Sequence, residues 1–363
     1  MLSAEAALNQ FRRGLVIPAM PLALHEDRTF DSQSQRAVIR YYLDAGAGGL
    51  AVGVHTTQFA VREIPGFLEE LLGFTARVAK EWGTRAAPLP DGGGPRVAPV
   101  MIAGICGQRS QAVAEAKLAR RLGFHAGLLS LAALKGGTPD EWIEHAAAVA
   151  AEIPVVGFYL QTAVGGIALP REFWRRFVEI ENVWGIKVAP FNRYATLDVL
   201  RGVANSSRPE SVAVYTGNDD SIVVDLLTKH RFAVGGGFRT VDMVGGLLGH
   251  WSCWTRRAVE VHQACRAVDR DQTGAIPRDL LTLAAQITDM NSAIFDAANG
   301  FAGCIAGVHE VLRRQGLFGS TACLDPNERL SPGQASEIDR VCSDYPHLTD
   351  DEFVRENLEL WRS

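Results

Sequence analysis

No basic block occurs anywhere in this 363-residue chain, whose 36 Lys and Arg against 41 Asp and Glu leave a net charge of −5. Nucleic-acid binding therefore has no electrostatic footprint here. Long apolar runs are missing too: none approaches the roughly 18 residues that a membrane span needs. The opening Met1-Leu-Ser-Ala-Glu-Ala6 lacks a basic region followed by an apolar core, so no signal peptide is expected. Cysteine is sparse, and its six positions (106, 253, 265, 304, 323, 342) are scattered. They read as reduced thiols in a cytoplasmic protein rather than as a disulfide framework. Absent as well is the glycine-rich turn after a first strand that marks dinucleotide binding; Pro18-Ala-Met-Pro21 stands there instead. Asp91-Gly-Gly-Gly94 has no Lys-Ser/Thr behind it and is no phosphate cradle.

What is present is enough apolar sequence for a large core. Hydrophobic residues make up 47% and charged residues 21%, the balance of a soluble globular protein. From residue 14 to about 250, apolar strand-like runs alternate with amphipathic segments. Gly14-Leu-Val-Ile-Pro-Ala-Met20 opens the series, and a helix follows over 31–45 with Asp31 as N-cap. Further strands are expected at 48–54, 97–103, 126–130, 153–159, 183–189, 211–216 and 231–235, with helices between them. Eight such units predict a (β/α)8 TIM barrel over 1–250. Residues 251–363 turn all-helical and are expected to pack on the barrel as a C-terminal extension. Thr349-Asp-Asp-Glu352 has the form of a capping box for a last helix docked by Phe353, Leu358 and Trp361. Residues 84–96, rich in Pro and Gly, read as a flexible surface insertion away from the chemistry.

Barrel chemistry sits where strands end, so the polar residues there are the candidate site. These are His55, Thr56 and Thr57 after strand two, Tyr159 closing strand five, Lys187 within strand six, Gly217-Asn-Asp219 after strand seven, and Gly235-Gly-Gly237 after the eighth. A lysine inside Val183-Trp-Gly-Ile-Lys-Val-Ala189 is costly to bury as an ammonium. The cost is understandable if the amine is to be neutral and nucleophilic, as in Schiff-base enzymes. A snorkelling strand-end lysine is the plainer alternative. No two carboxylates converge, which disfavours glycosidase chemistry. Paired threonines are often only turn residues, and a strand-end tyrosine is often packing plus one hydrogen bond. His250-x-x-Cys253 and His262-x-x-Cys265 echo each other, but helix-like sequence is a poor frame for zinc, and no metal is expected.

The chain resembles the dihydrodipicolinate synthase and N-acetylneuraminate lyase family of Schiff-base barrels. The features that carry this are the Tyr159 strand, Gly185-Ile-Lys187 after 187 − 159 = 28 residues, Thr56-Thr57 and Gly217-Asn-Asp219. The resemblance implies that Lys187 forms an imine with pyruvate or another 2-oxo acid and that Tyr159 shuttles protons. It also implies that Thr56 and Thr57 hold the carboxylate, with no cofactor. It further implies a homodimer or homotetramer, with an aldehyde as candidate second substrate. His55, Gly217 and Gly235 complete the expected substrate contacts, and Thr57 is a third candidate catalytic residue. The departures are specific. The family's Gly-Thr-Thr-Gly-Glu is His55-Thr-Thr-Gln-Phe59 here, Val164 replaces the arginine that grips a second carboxylate, and Leu131-Ala-Ala-Leu134 replaces the segment with a relay tyrosine. True dihydrodipicolinate synthesis is thereby disfavoured. Two further readings stay open: a barrel that binds a ligand without turnover, as sensor or scaffold, and a flavin- or nicotinamide-dependent barrel, supported only by Gly235–Gly237.

Overall fold

The computed structural model describes residues 2–83, 97–270 and 274–363, so the insertion read at 84–96 lies outside the described residues. The strands are β1 (Val16–Pro18), β2 (Gly49–Val52), β3 (Val100–Ile105), β4 (Ala126–Ser130), β5 (Val155–Leu160), β6 (Val183–Ala189), β7 (Ala213–Thr216), β8 (His230–Val234), β9 (Gly237–Val241) and β10 (Met243–Leu248). Eight of them run parallel in the order β1-β10-β7-β6-β5-β4-β3-β2. A bridge from Ala19 to Ala51 joins β1 to β2 and closes the ring. This is a TIM barrel, as the strand–helix alternation led us to expect.

One strand assignment is corrected. Residues 231–235 are not the eighth barrel strand but most of β8, which pairs antiparallel with β9 in a separate hairpin. Gly235 and Gly236, at φ +57° and +81°, form its two-residue turn, where positive φ at both positions matches the strand twist. Arg239 holds the hairpin against the barrel's outer layer through the carbonyls of Ala204 and Ser206 (2.8 and 2.7 Å). The true eighth strand, β10, is disguised by Gly245 and Gly246. Both are needed: a Cβ on Gly245 would lie 2.4 Å from the Leu15 carbonyl oxygen, and one on Gly246 2.6 Å from the Trp251 ring.

Alternation along the strands sorts the interior into two cores. Ile17, Ala51, Ile102, Leu128, Val156, Phe158 and Leu247 fill the lumen. Residues of opposite parity, such as Val155, Tyr159, Ile186 and Val188, face the helices. The amino-terminal end of the lumen is stoppered by α1 (Ala4–Arg13), N-capped by Ser3. Phe11 from that helix stacks on Tyr215 at 4.4 Å, and the Tyr215 hydroxyl donates to the Phe11 carbonyl at 2.6 Å. Helix α2 (Ser32–Ala45) starts at Asp31, whose carboxylate accepts from the Gln33 and Ser34 amides.

The outer layer continues with α3 (Phe67–Gly83), α4 (Arg109–Arg121), α5 (Pro139–Ala150), α6 (Arg171–Phe177), α7 (Arg193–Ala204) and α8 (Ile222–Leu227). After β10 the described chain is helical: α9 (Thr255–Arg270), α10 (Arg278–Ile294), α11 (Cys304–Arg314), α12 (Gln334–Asp344) and α13 (Asp351–Arg362). Among the described residues no helix is long and apolar enough to cross a membrane. Helix α13 docks on α2, with buried Asp44 accepting from the Trp82 and Trp361 indoles at 2.8 Å each. The capping box expected at 349–352 does not form. Thr349 donates instead to the Pro346 carbonyl, and Asp350, the N-cap residue, turns its carboxylate inward. There it accepts from the Tyr41 hydroxyl (2.6 Å), the Arg256 amide (3.0 Å) and the Gln315 side chain (2.8 Å).

Burial pushes the Asp350 carboxyl up to about 6 against an ordinary 3.8. The fold then keeps a proton that the unfolded chain has already released, so this group's contribution is greatest at low pH and declines as pH rises. Stability of the wild type relative to Asp350→Asn, measured by urea denaturation, is expected to fall between about pH 4 and pH 6 and then level off.

Candidate active site

A shift in register decides what the lumen contains. Val155 pairs with Val183, but Val156 pairs with Gly185, so Trp184 is an extra residue in β6. Such a bulge reverses the facing of every residue after it. Without it Lys187 would share the outward face of Val183. With it Lys187 sits opposite Phe158 and points into the lumen, where it is 6% exposed. Its Nζ lies 4.4 Å from the centre of the Phe158 ring, within cation–π range. It has no hydrogen bond or ion pair among the described residues. Burial lowers the ammonium's pKa from its ordinary 10.5, with the Asp219 carboxylate opposing part of that effect. Gly217 leaves room for this side chain: a Cβ there would come within 2.6 Å of Lys187 Cε.

Asp219 enters the same pocket from the loop after β7. Its neighbour Asn218 anchors that loop, accepting from the Phe191 amide (3.1 Å) and donating to Asp225 (2.9 Å). Asp225 also accepts from the Thr216 hydroxyl (2.7 Å) and pairs with Arg193, so the loops after β6 and β7 are held as one piece. The Asp219 Oδ1 atom accepts from the His250 amide at 2.7 Å. Burial raises its carboxyl pKa, countered by that hydrogen bond and then by Lys187.

On the opposite wall, His55 and Thr56 line the pocket from the short 3-10 turn after β2. Burial, and next the Lys187 ammonium, hold the His55 imidazole down at about 4, which keeps it neutral near pH 7. Thr56 donates to the Ala19 carbonyl at 2.6 Å. The Thr57 hydroxyl donates to the Met20 carbonyl (2.6 Å) and accepts from the Gly53 and Val54 amides (3.0 and 3.2 Å). It is fully buried, spent on the turn, and does not line the pocket. Its placement corrects the expectation of a catalytic hydroxyl.

Two other expected residues are also displaced. Tyr159 lies on the outer face of β5, its ring 5.3 Å from Trp174 and its hydroxyl accepting from the Leu169 amide (3.3 Å). The inward position beside Lys187 belongs to Phe158, so the phenol expected there is absent. Gly235, at the hairpin turn, does not line the pocket; Gly249 after β10 does. Lys187, His55, Thr56 and Gly217 do come together as expected. Sequence reasoning missed Phe158 and the roof, where Phe295 and Cys304 arrive from the C-terminal helices. The alternation Val156, Phe158, Leu160 was a signal for the former. Nothing local signalled the latter.

No family model matches the sequence, and no curated protein matches it. Solved structures do match in fold. Dihydrodipicolinate synthase from Aquifex aeolicus superposes with a TM-score of 0.69 at 16% identity, over 93% of this chain and 99% of its own. The fold is that of the dihydrodipicolinate synthase and N-acetylneuraminate lyase barrels. The enzyme from Acinetobacter baumannii, solved as a complex with pyruvate, gives 0.69 at 18% identity over 92% of this chain and 99% of its own. N-Acetylneuraminate lyase from Mycoplasma synoviae gives 0.67 at 13% identity, over 92% and 98%.

The contact between Gly217 and Lys187 yields a test. Gly217→Ala must push the lysine stem aside, and it is expected to slow modification of Lys187 by an amine-reactive carbonyl on the order of tenfold, since misplacement of about 1 Å is costly. Peptide mass spectrometry reads the rate, and a melting temperature near the wild type's shows that the fold is intact.

Proposed function

We propose that the protein is a Schiff-base-forming lyase, an aldolase or dehydratase, that binds pyruvate or another 2-oxo acid as an imine on Lys187. The single observation that carries this reading is the unpaired amine in the lumen. It is buried, its protonation is disfavoured, and it lies at the strand ends where barrel enzymes keep their chemistry. The fold shared with synthases and lyases of that chemistry, one of them solved with pyruvate, supports it by analogy. The His55 ring is the side-chain donor placed to receive the acid's carboxylate, since the Thr56 hydroxyl proton is already given to the Ala19 carbonyl. Leu160, Val164 and Phe191 line the pocket without an arginine, which favours a second substrate lacking a carboxylate of its own.

A second reading has one observation in its favour. Phe158 stands where a proton-relaying phenol was expected, and a barrel retaining its pocket but not its relay would bind a ligand without turnover.

Borohydride reduction in the presence of pyruvate, followed by peptide mass spectrometry, separates the two. The lyase reading expects the reduced pyruvyl adduct on Lys187 and none in Lys187→Ala. The trapping rate should reach its plateau well below pH 10.5, because burial disfavours the ammonium. Folded wild-type protein that gives no adduct with pyruvate or longer 2-oxo acids would leave the binding reading standing.

A further inference from the structure

We propose that the Asp219 carboxyl group moves the protons in this site, in place of the phenol that the lumen lacks. This rests on the Schiff-base reading of Lys187 and extends it.

Imine formation and enamine chemistry need a group that can both give and take a proton beside the lysine nitrogen. The pocket offers few. Tyr159 faces the helices, and the Thr57 hydroxyl is fully engaged. The Thr56 hydroxyl already donates to the Ala19 carbonyl. His55 is held neutral, with a ring too weakly basic to carry a proton near pH 7. Burial drives the Cys304 thiol far above the range in which it ionises. Asp219 remains.

Its geometry suits the role. Oδ1 is fixed by the His250 amide, and no other side chain among the described residues hydrogen-bonds the carboxyl group. Asp219 and Lys187 line one pocket but are not in ion-pair contact. A gap between nucleophile and acid is where a reacting carbonyl must sit. The loop cannot drift, because Asn218 locks it to the Phe191 amide and to Asp225. The titratable groups around the carboxyl are Lys187 on β6, Asp220 in its own loop, His250 after β10 and Cys304 at the start of α11.

The proton count closes. Starting from the neutral amine and the carboxylic acid, the Lys187 nitrogen forms a bond to C2 of the 2-oxo acid and the carbonyl electron pair moves to oxygen. That oxygen takes the Asp219 proton. The carboxylate then removes one proton from the nitrogen, leaving a neutral carbinolamine and the acid form restored. Asp219 protonates the hydroxyl, water leaves as the C–O bond breaks, and the nitrogen lone pair completes a protonated imine facing a carboxylate. That carboxylate next takes a proton from C3, giving the enamine. No other reactant is consumed.

The test is exchange of the pyruvate methyl protons in deuterium oxide, followed by NMR, alongside borohydride trapping. Asp219→Asn keeps an acceptor for the His250 amide and should melt close to the wild type. It is expected still to yield the Lys187 adduct on long incubation while exchange falls on the order of 100-fold or more. Restoring a phenol with Phe158→Tyr in that background should recover part of the loss, which a merely structural role of Asp219 would not allow. Exchange by Asp219→Asn within about threefold of the wild type overturns the proposal. Wild type that traps pyruvate but never exchanges overturns it while sparing the imine; wild type that does neither removes both. Should Asp219→Asn not fold, the wild-type pH profile of exchange decides. A limb from a second ionising group, besides that of the amine, supports Asp219, and a profile with the amine's limb alone overturns it.

Discussion

A buried amine without a counter-ion is the constraint around which this molecule is arranged. An ammonium taken out of water loses hydration that apolar neighbours cannot replace. The barrel lessens the loss in two small ways: the face of Phe158 lies 4.4 Å from Nζ, and a carboxylate shares the same cavity without touching it. Neither is a full partner, so the amine gives up its proton more readily than an exposed lysine does. Gly217 then keeps the lysine stem in place, because a Cβ there would push it aside. The loop beyond it must be rigid, which the Asn218 and Asp225 hydrogen bonds achieve. The apolar enclosure and the fixed loop both follow from placing one charge-capable group in a lumen.

Much of this was legible in the sequence, and the misreadings share a cause. Strand–helix alternation predicted the barrel, and a lysine within an apolar run announced itself. The family resemblance, carried in part by the spacing of 28 residues between Tyr159 and Lys187, implied that the two share a site. Spacing counts residues, whereas facing depends on register, and the extra Trp184 changes the register by one. No pattern of hydrophobicity marks that bulge, since Trp184 is as apolar as its neighbours. Gly235 misled for a related reason. The β8 segment has the residue types of a strand and is one, but in a hairpin, while Gly245 and Gly246 make the genuine barrel strand look like a turn. Thr56 and Thr57 were recognised as a pair, but only partner atoms distant in sequence, the Ala19 and Met20 carbonyls, reveal how differently they are used.

The C-terminal helices do more than shield the barrel's flank. Phe295 and Cys304 reach the pocket, and a Cβ on Gly249 would meet Phe295 at 2.7 Å. Gln58, in the turn that carries Thr56 and Thr57, accepts from the Leu324 amide, so the extension is also fastened to the opposite wall. At the far edge, Asp44 and Asp350 tie α13 to α2, α9 and α11 through buried hydrogen bonds. Substitutions in this helical region would therefore be felt at the strand ends, through packing rather than through direct contact with a reactant.

The amino-terminal helix has a further consequence. With Phe11 wedged beneath Tyr215 and against Gly185, the barrel is plugged at its amino-terminal end. A molecule held at Lys187 on the proposed reading would have no exit past Phe11. The plug at the amino-terminal end thus gives the lumen a floor as well as walls.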